Sequence, residues 1–166
     1  MIDVCAAEHM CQKVHWYVHN AKKGQKTMKK YIGCKMVSAE PALKDGKEGY
    51  KVVYPDGYES WSPKDVFEKA YLQLDDNKEL HSGVSIGQKM VDEFVSYYET
   101  TTIGDCTTVV RCVLRNGFVI VESSSCVDPK NYSEDMGKEI CMKKIEDKIW
   151  ELLGFLLQTA AFGVNN

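Results

Sequence analysis

Thr107-Thr108-Val109-Val110-Arg111-Cys112-Val113-Leu114-Arg115-Asn116-Gly117-Phe118-Val119-Ile120-Val121-Glu122-Ser123-Ser124 carries the clearest structural signal in the chain. Two runs rich in β-branched residues flank Asn116-Gly117. Asn-Gly is the strongest short-range hairpin signal, because a type I′ turn needs φ > 0 at both central positions. A two-residue loop there sets the register. Arg115 then faces Phe118, Val113 faces Ile120, and Arg111 faces Glu122. Val110, Cys112 and Leu114 share the other face with Val119 and Val121. That second face is the more apolar and is expected to meet helices.

Helical signals lie on both sides. Upstream, Ser85-Ile86-Gly87-Gln88 has the form of a capping box. Ile86, Met90, Val91, Phe94, Val95 and Tyr98 follow as one apolar stripe. Downstream, Ser133 is placed as an N-cap with Glu134 and Asp135 in the first turn. Ile140, Ile145, Ile149, Leu152, Leu153, Leu156 and Leu157 form a wide stripe. Gly154 should cost that helix about 1 kcal/mol unless packing needs it. A two-stranded hairpin is marginal alone, so it is expected to pair with another hairpin, as a homo-oligomer would allow.

Further upstream a second pattern begins. Ile32, Cys34 and Met36, then Val52 and Tyr54, alternate as half-buried strands do. Tyr54-Pro55-Asp56-Gly57-Tyr58 predicts a hairpin with a type I turn and a bulge. Ser62 as N-cap and Pro63 at the first helical position predict a short helix to about Tyr71. Tyr50, Tyr54, Tyr58 and Trp61 could stack on a base or ring; in so small a module they are expected to be the core. Asp75-Asp76-Asn77-Lys78-Glu79 reads as a linker. The expected organisation is therefore α+β: an extension over 1–27, a small β module over 28–74, a linker over 75–84, and two helices packed on a hairpin over 85–166.

The extension holds Cys5, His9, Cys11, His15 and His19. Cys11, His15 and His19 would share a helix face, and Cys and His bind zinc, but the spacing matches no closed zinc module. The other reading is an amphipathic helix carrying Val14, Trp16, Tyr17 and Val18. Met28-Lys29-Lys30-Tyr31-Ile32-Gly33 looks like a native start, and Lys22-Lys23-Gly24 is encoded by purine-rich codons resembling a bacterial ribosome-binding site. Residues 1–27 are thus expected to be dispensable.

Composition narrows the function. The net charge of −3 with 27% charged residues gives no basic footprint for DNA. No apolar run approaches the roughly 20 residues of a spanning helix, and no secretory signal is visible. Seven cysteines, odd in number and without Cys-x-x-Cys, suit a reducing cytoplasm with no disulfide framework. No Ser-His-Asp order, His-Glu-x-x-His or phosphate-binding loop is present, and His81 is the lone histidine beyond the extension. Neither catalysis nor a cofactor or metal is expected.

Residues 107–157 resemble a family of small tailed-phage proteins named after gene product forty-nine. The resemblance is carried by Leu114-Arg115-Asn116-Gly117-Phe118, Glu122-Ser123-Ser124-Ser125-Cys126, Asp128-Pro129-Lys130-Asn131-Tyr132 and Glu134-Asp135-Met136-Gly137-Lys138-Glu139-Ile140. Lys148-Ile149-Trp150-Glu151-Leu152 and the ending Gly154-Phe155-Leu156-Leu157 continue it, while Asp128 departs from the small residue usual there. Gly49-Tyr50-Lys51-Val52 with Asp56-Gly57-Tyr58-Glu59-Ser60-Trp61-Ser62-Pro63 resembles a leader on other phage accessory proteins. Among those are relatives of Thoeris anti-defence proteins, which sequester nucleotide-derived immune signals. The two resemblances imply an accessory protein acting in the cytoplasm of an infected host.

The expected ligand-binding set is Arg111, Glu122, Ser123, Ser125, Lys130, Asn131 and Lys138. Serines and Asn131 would bind polar groups, and the cations would hold phosphate. Arg111 with Glu122 also reads as a plain cross-strand ion pair, and the Glu122–Asn131 stretch as a polar loop before the last helix. Two functions follow. The first is a sponge that binds a small nucleotide-derived ligand, in a pocket expected at a subunit interface. The second is an interaction module that binds a host or phage protein. A deep polar pocket with convergent basic and aromatic groups would favour the first, and a flat apolar patch the second.

Overall fold

A computed structural model of the chain describes residues 28–74 and 79–165. The expectations for the extension, and for linker residues 75–78, lie outside those residues. Among the described residues the fold is α+β, with two three-stranded antiparallel sheets and three α-helices. Residues from Gly33 onward form one compact unit.

The first sheet is β1 (Ser38–Lys44), β2 (Lys47–Val53) and β3 (Glu59–Pro63), in that order. The strand signal at Ile32 to Met36 did not become a strand; β1 starts at Ser38. Its link to β2 is Asp45-Gly46, both with positive φ, as a type I′ turn demands. The Tyr54–Tyr58 turn is as expected. Gly57 N donates to Tyr54 O at 2.9 Å, Tyr54 N to Tyr58 O at 2.9 Å, and Gly57 takes the left-handed position. Helix α1 (Lys64–Ala70) begins one residue later than predicted. Pro63 holds the N-cap position without a side-chain cap, because Ser62 is spent in β3, paired with Tyr50.

The second sheet is β4 (Val95–Ile103), β5 (Thr107–Leu114) and β6 (Val119–Ser125). Here the sequence-based expectation is corrected three times. Helix α2 (Gln88–Phe94) is short and capped by Gly87, not Ser85. Gln88 does not turn back; its Nε2 donates to Asp92 Oδ1 at 2.9 Å and Glu146 Oε1 at 2.7 Å. Val95 and Tyr98 leave the helix for β4, where a run of aromatic and β-branched residues favours extended chain. The hairpin therefore finds its third strand within the chain.

The third correction is register. Gly117 N donates to Leu114 O and Leu114 N to Phe118 O, both at 2.8 Å, so the loop is Arg115-Asn116-Gly117. This is a type I turn closed by a left-handed Gly117 at φ 84°. Asn116 avoids positive φ, and Arg115 N is drawn to Phe94 O at 2.9 Å. Arg111 thus pairs with Val121, and Val110 with Glu122. One residue of slip exchanges the faces of β6: Ile120 is buried, whereas Val119 and Val121 are exposed.

Helix α3 (Glu134–Phe162) covers the inner face of this sheet. Ser133 caps it as expected, its Oγ accepting from Met136 N at 3.3 Å. Gly137, Cys141, Ile145, Ile149 and Leu153, one per turn, are its buried row. They pack with Met90, Val91, Val110, Cys112, Leu114 and Ile120. Leu72 and Leu74 join from the segment after α1. Ile140, Leu152 and Leu156, read as core positions, are 46%, 41% and 40% exposed. At Gly137 the helix comes so close to β5 that a Cβ would lie 2.2 Å from Thr108 Oγ1.

Candidate functional site

The register correction separates the expected anchors. Arg111 lies on the outer face of the second sheet, where Nη1 donates to Glu99 Oε2 at 3.1 Å. The Tyr97 hydroxyl first, then Glu99, holds its guanidinium charge above the ordinary value. Glu122 points the other way, towards α3, and pairs with Lys148. Neither Lys148 nor Lys144, which donates to Ser123 O at 2.8 Å, was in the expected set. Their i, i+4 spacing on α3 was the available signal, but it meant nothing without knowing which face of β6 they would meet.

The remaining expected residues also scatter. Ser123 is exposed, and Ser125 Oγ pairs with Thr107 Oγ1 at 2.9 Å. Lys130 stands exposed in a single helical turn, Pro129–Asn131, whose start Asp128 caps through Lys130 N at 3.0 Å. Lys138 Nζ sits 4.9 Å from the Tyr98 ring centroid. The Tyr98 hydroxyl is the main reason its ammonium is held charged above the ordinary range. Ser125 and Asn131 are the two that meet, at a common cavity.

That cavity measures about 220 Å³ and lies between the open end of the β5–β6 hairpin and the start of α3. Cys106, Ser124, Ser125, Asn131, Tyr132 and Ser133 are among its walls, and no Lys or Arg lines it. A hydroxyl chain organises its floor. Tyr132 Oη lies 2.9 Å from the wholly buried Thr108 Oγ1 and 2.7 Å from Thr102 Oγ1, and Thr102 reaches Glu134. Burial, then the neighbouring Cys106 thiol, pushes Cys126 above the ordinary thiol value. It therefore carries less thiolate at neutral pH than a free cysteine, the opposite of an activated nucleophile. The volume falls below the roughly 300–1,000 Å³ of typical ligand pockets.

A shallow groove of about 560 Å³ lies on the first sheet, along Pro41, Ala42, Leu43, Glu48, Tyr50 and Lys64. Its cation is committed, since Lys64 pairs with Glu48 at 3.0 Å. Its aromatics stack on one another. Tyr50 lies 4.3 Å from Phe67, and Phe67 4.7 Å from Tyr71, centroid to centroid. Trp61 Nε1 donates to Ala42 O at 3.3 Å. Tyr50 and Trp61 are thus tied into the module but only half-buried, Tyr58 stands largely exposed, and Val52 is the buried hydrophobic of this sheet.

The outer face of the second sheet is different. Tyr97, Val113 and Val119 lie side by side across three strands, with Arg111 and Val121 in the next row and Val109 beyond. Tyr97, Val119 and Val121 are 50%, 39% and 55% exposed. The exposed residues at its centre are mostly apolar, with the Arg111–Glu99 ion pair set among them. Among the described residues no group of three metal-ligating side chains occurs, and no helix is long and apolar enough to cross a membrane.

Residues 85–161 match the family described as phage protein, N4 Gp49/phage Sf6 gene 66, a likeness spanning somewhat under half of the chain. It runs from just before α2 to the end of α3 and leaves the first sheet outside. No curated protein and no solved structure matches the chain.

Proposed function

We propose that this chain is a phage accessory protein that works by stoichiometric binding, without turnover, and that its partner is a host or phage protein. The outer face of the second sheet carries this reading. Val119, Val121 and Tyr97 are exposed around the Arg111–Glu99 pair, in the pattern of an apolar centre with a charge to set orientation. The test is affinity capture from infected cells, followed by binding of the identified protein to purified wild type and to Tyr97→Ser/Val113→Lys. Loss of binding by the variant, with its folding intact, supports the face; undiminished binding removes it.

A second reading is sequestration of a nucleotide-derived immune signal. The cavity lined by Ser124, Ser125, Asn131 and Tyr132 favours it, together with the resemblance of the Gly49–Pro63 stretch to the leader of anti-defence proteins. The cavity is large enough for a phosphate or ribose portion, and a second subunit would have to supply the rest. Binding would raise the melting temperature as ligand concentration rises. A thermal-shift panel of cyclic dinucleotides and cyclic ADP-ribose isomers, with intact ligand recovered after heating, would favour the sponge. No shift with any of them leaves the protein-binding reading in place.

A further inference from the structure

Strand β6 is an edge of the second sheet. Its hydrogen-bonded partners on β5 alternate from Leu114–Phe118 through Cys112–Ile120 and Val110–Glu122 to Cys106–Cys126. The N–H and C=O groups of Val119, Val121 and Ser123 therefore point away from the sheet. Among the described residues, the contact made to this row is Lys144 on the Ser123 carbonyl. A carbonyl has two lone pairs, so that bond leaves room for another.

We infer that β6 pairs antiparallel with β6 of a second copy, joining the two second sheets across a twofold axis. A row of unpaired backbone groups is complementary only to another extended chain, and folded proteins usually blunt such edges. The other three edges here are blunted. Strand β1 carries Pro41, β3 ends in Pro63, and β4 is bulged between Val95 and Tyr97. Strand β6 has no proline or bulge, and its one inward-pointing charge, Glu122, is neutralised by Lys148.

Helix α3 supplies a second, independent observation. Lys144 and Lys148 reach β6, so they mark the side of the helix nearest the free edge. Residues four apart share a helix face, which puts Ile140, Leu152 and Leu156 on that same side. They are 46%, 41% and 40% exposed; Ile140 also borders the small cavity, and the row lies where a second copy would sit.

The charges choose the register. With Glu122 on the axis, two carboxylates would face each other, which is unfavourable. With Val121 on the axis, each Glu122 faces Ile120 of the second copy, and Val119 faces Ser123. The twofold also turns the Ile140 end of one helix towards the Leu156 end of the other. This inference does not depend on what binds the outer face.

The test is sedimentation velocity with light scattering on the full chain, alongside Val121→Pro, Val121→Lys and Tyr97→Ser. Wild type and Tyr97→Ser should show twice the 18.8 kDa chain mass. Both Val121 variants should show half the wild-type mass with unchanged circular dichroism, because the Val121 N–H takes no part in the β5 ladder. Amide exchange at Val119 and Ser123 should be slow in the dimer and fast in the variants. A monomeric wild type, or variants that remain dimeric, would overturn the inference. So would edge amides that become protected only when a host protein is added. Should the proline variant misfold, the lysine variant tests the same pairing through its side chain alone.

Discussion

Two glycines on α3 look alike in sequence and differ in what surrounds them. Nothing lies within 4 Å of where a Cβ would sit on Gly154, whereas at Gly137 it would meet Thr108. Gly154→Ala is therefore expected to stabilise the protein by about 1 kcal/mol, the intrinsic helix difference. That raises the melting temperature by roughly 2–4 °C in a chain of this size. Gly137→Ala is expected to cost about 1–3 kcal/mol by overpacking. Thr108 cannot step aside without breaking its bond to Tyr132. Thermal melts of the two variants should move in opposite directions. Cys126 gives a third check at this scale. Its raised pKa keeps the thiol protonated at pH 7.5, so iodoacetamide should modify it more slowly than a model thiol. The rate should climb only as pH rises beyond the ordinary thiol value.

Strand β6 shows how much one turn controls. The sequence revealed the hairpin and its approximate limits, since β-branched runs around Asn-Gly leave little alternative. It did not reveal the loop length, because Asn-Gly serves a two-residue I′ turn and a three-residue turn ending in Gly equally well. The bond from Arg115 N to Phe94 O favours the longer loop, and it is a tertiary contact. The candidate site inherited the error: Arg111 and Glu122, opposite each other in the two-residue register, sit on opposite faces. Mutation separates the registers cleanly. Ile120→Ala should cost about 2–5 kcal/mol as a core truncation, and Val121→Ala well under 1 kcal/mol. The two-residue loop requires the reverse order, and urea melts at low protein concentration will decide. Strand β4 was missed for a related reason. Val95 and Tyr98 continue the helical stripe of α2, and periodicity cannot tell where an apolar stripe changes from helix to strand.

At the scale of the whole molecule, the two sheets carry separate apolar clusters. The aromatic stack of Tyr50, Phe67 and Tyr71 belongs to the first, and the α3-covered core to the second. Phe67→Ala is expected to speed amide exchange in β1–β3 while leaving β5 and the middle of α3 slow, since local openings follow such units. An equal loss of protection in both sheets would show that they unfold together. The family likeness follows the same division, covering α2 to α3 and stopping short of the first sheet. The candidate site was less legible than the fold because exposed surfaces leave no periodic signature. The outer face of the second sheet becomes visible only once the register is known.

Both sheets are meanders, each strand bonded to its neighbour in sequence. Their contacts need only short loops to close, which favours rapid folding. As the chain leaves the ribosome, β4, β5 and β6 can assemble while α3 is still being made. For that interval Val110, Cys112, Leu114 and Ile120 have no cover. The nascent sheet is then exposed to association on the very face that the finished protein hides, so the speed with which α3 arrives should govern the soluble yield.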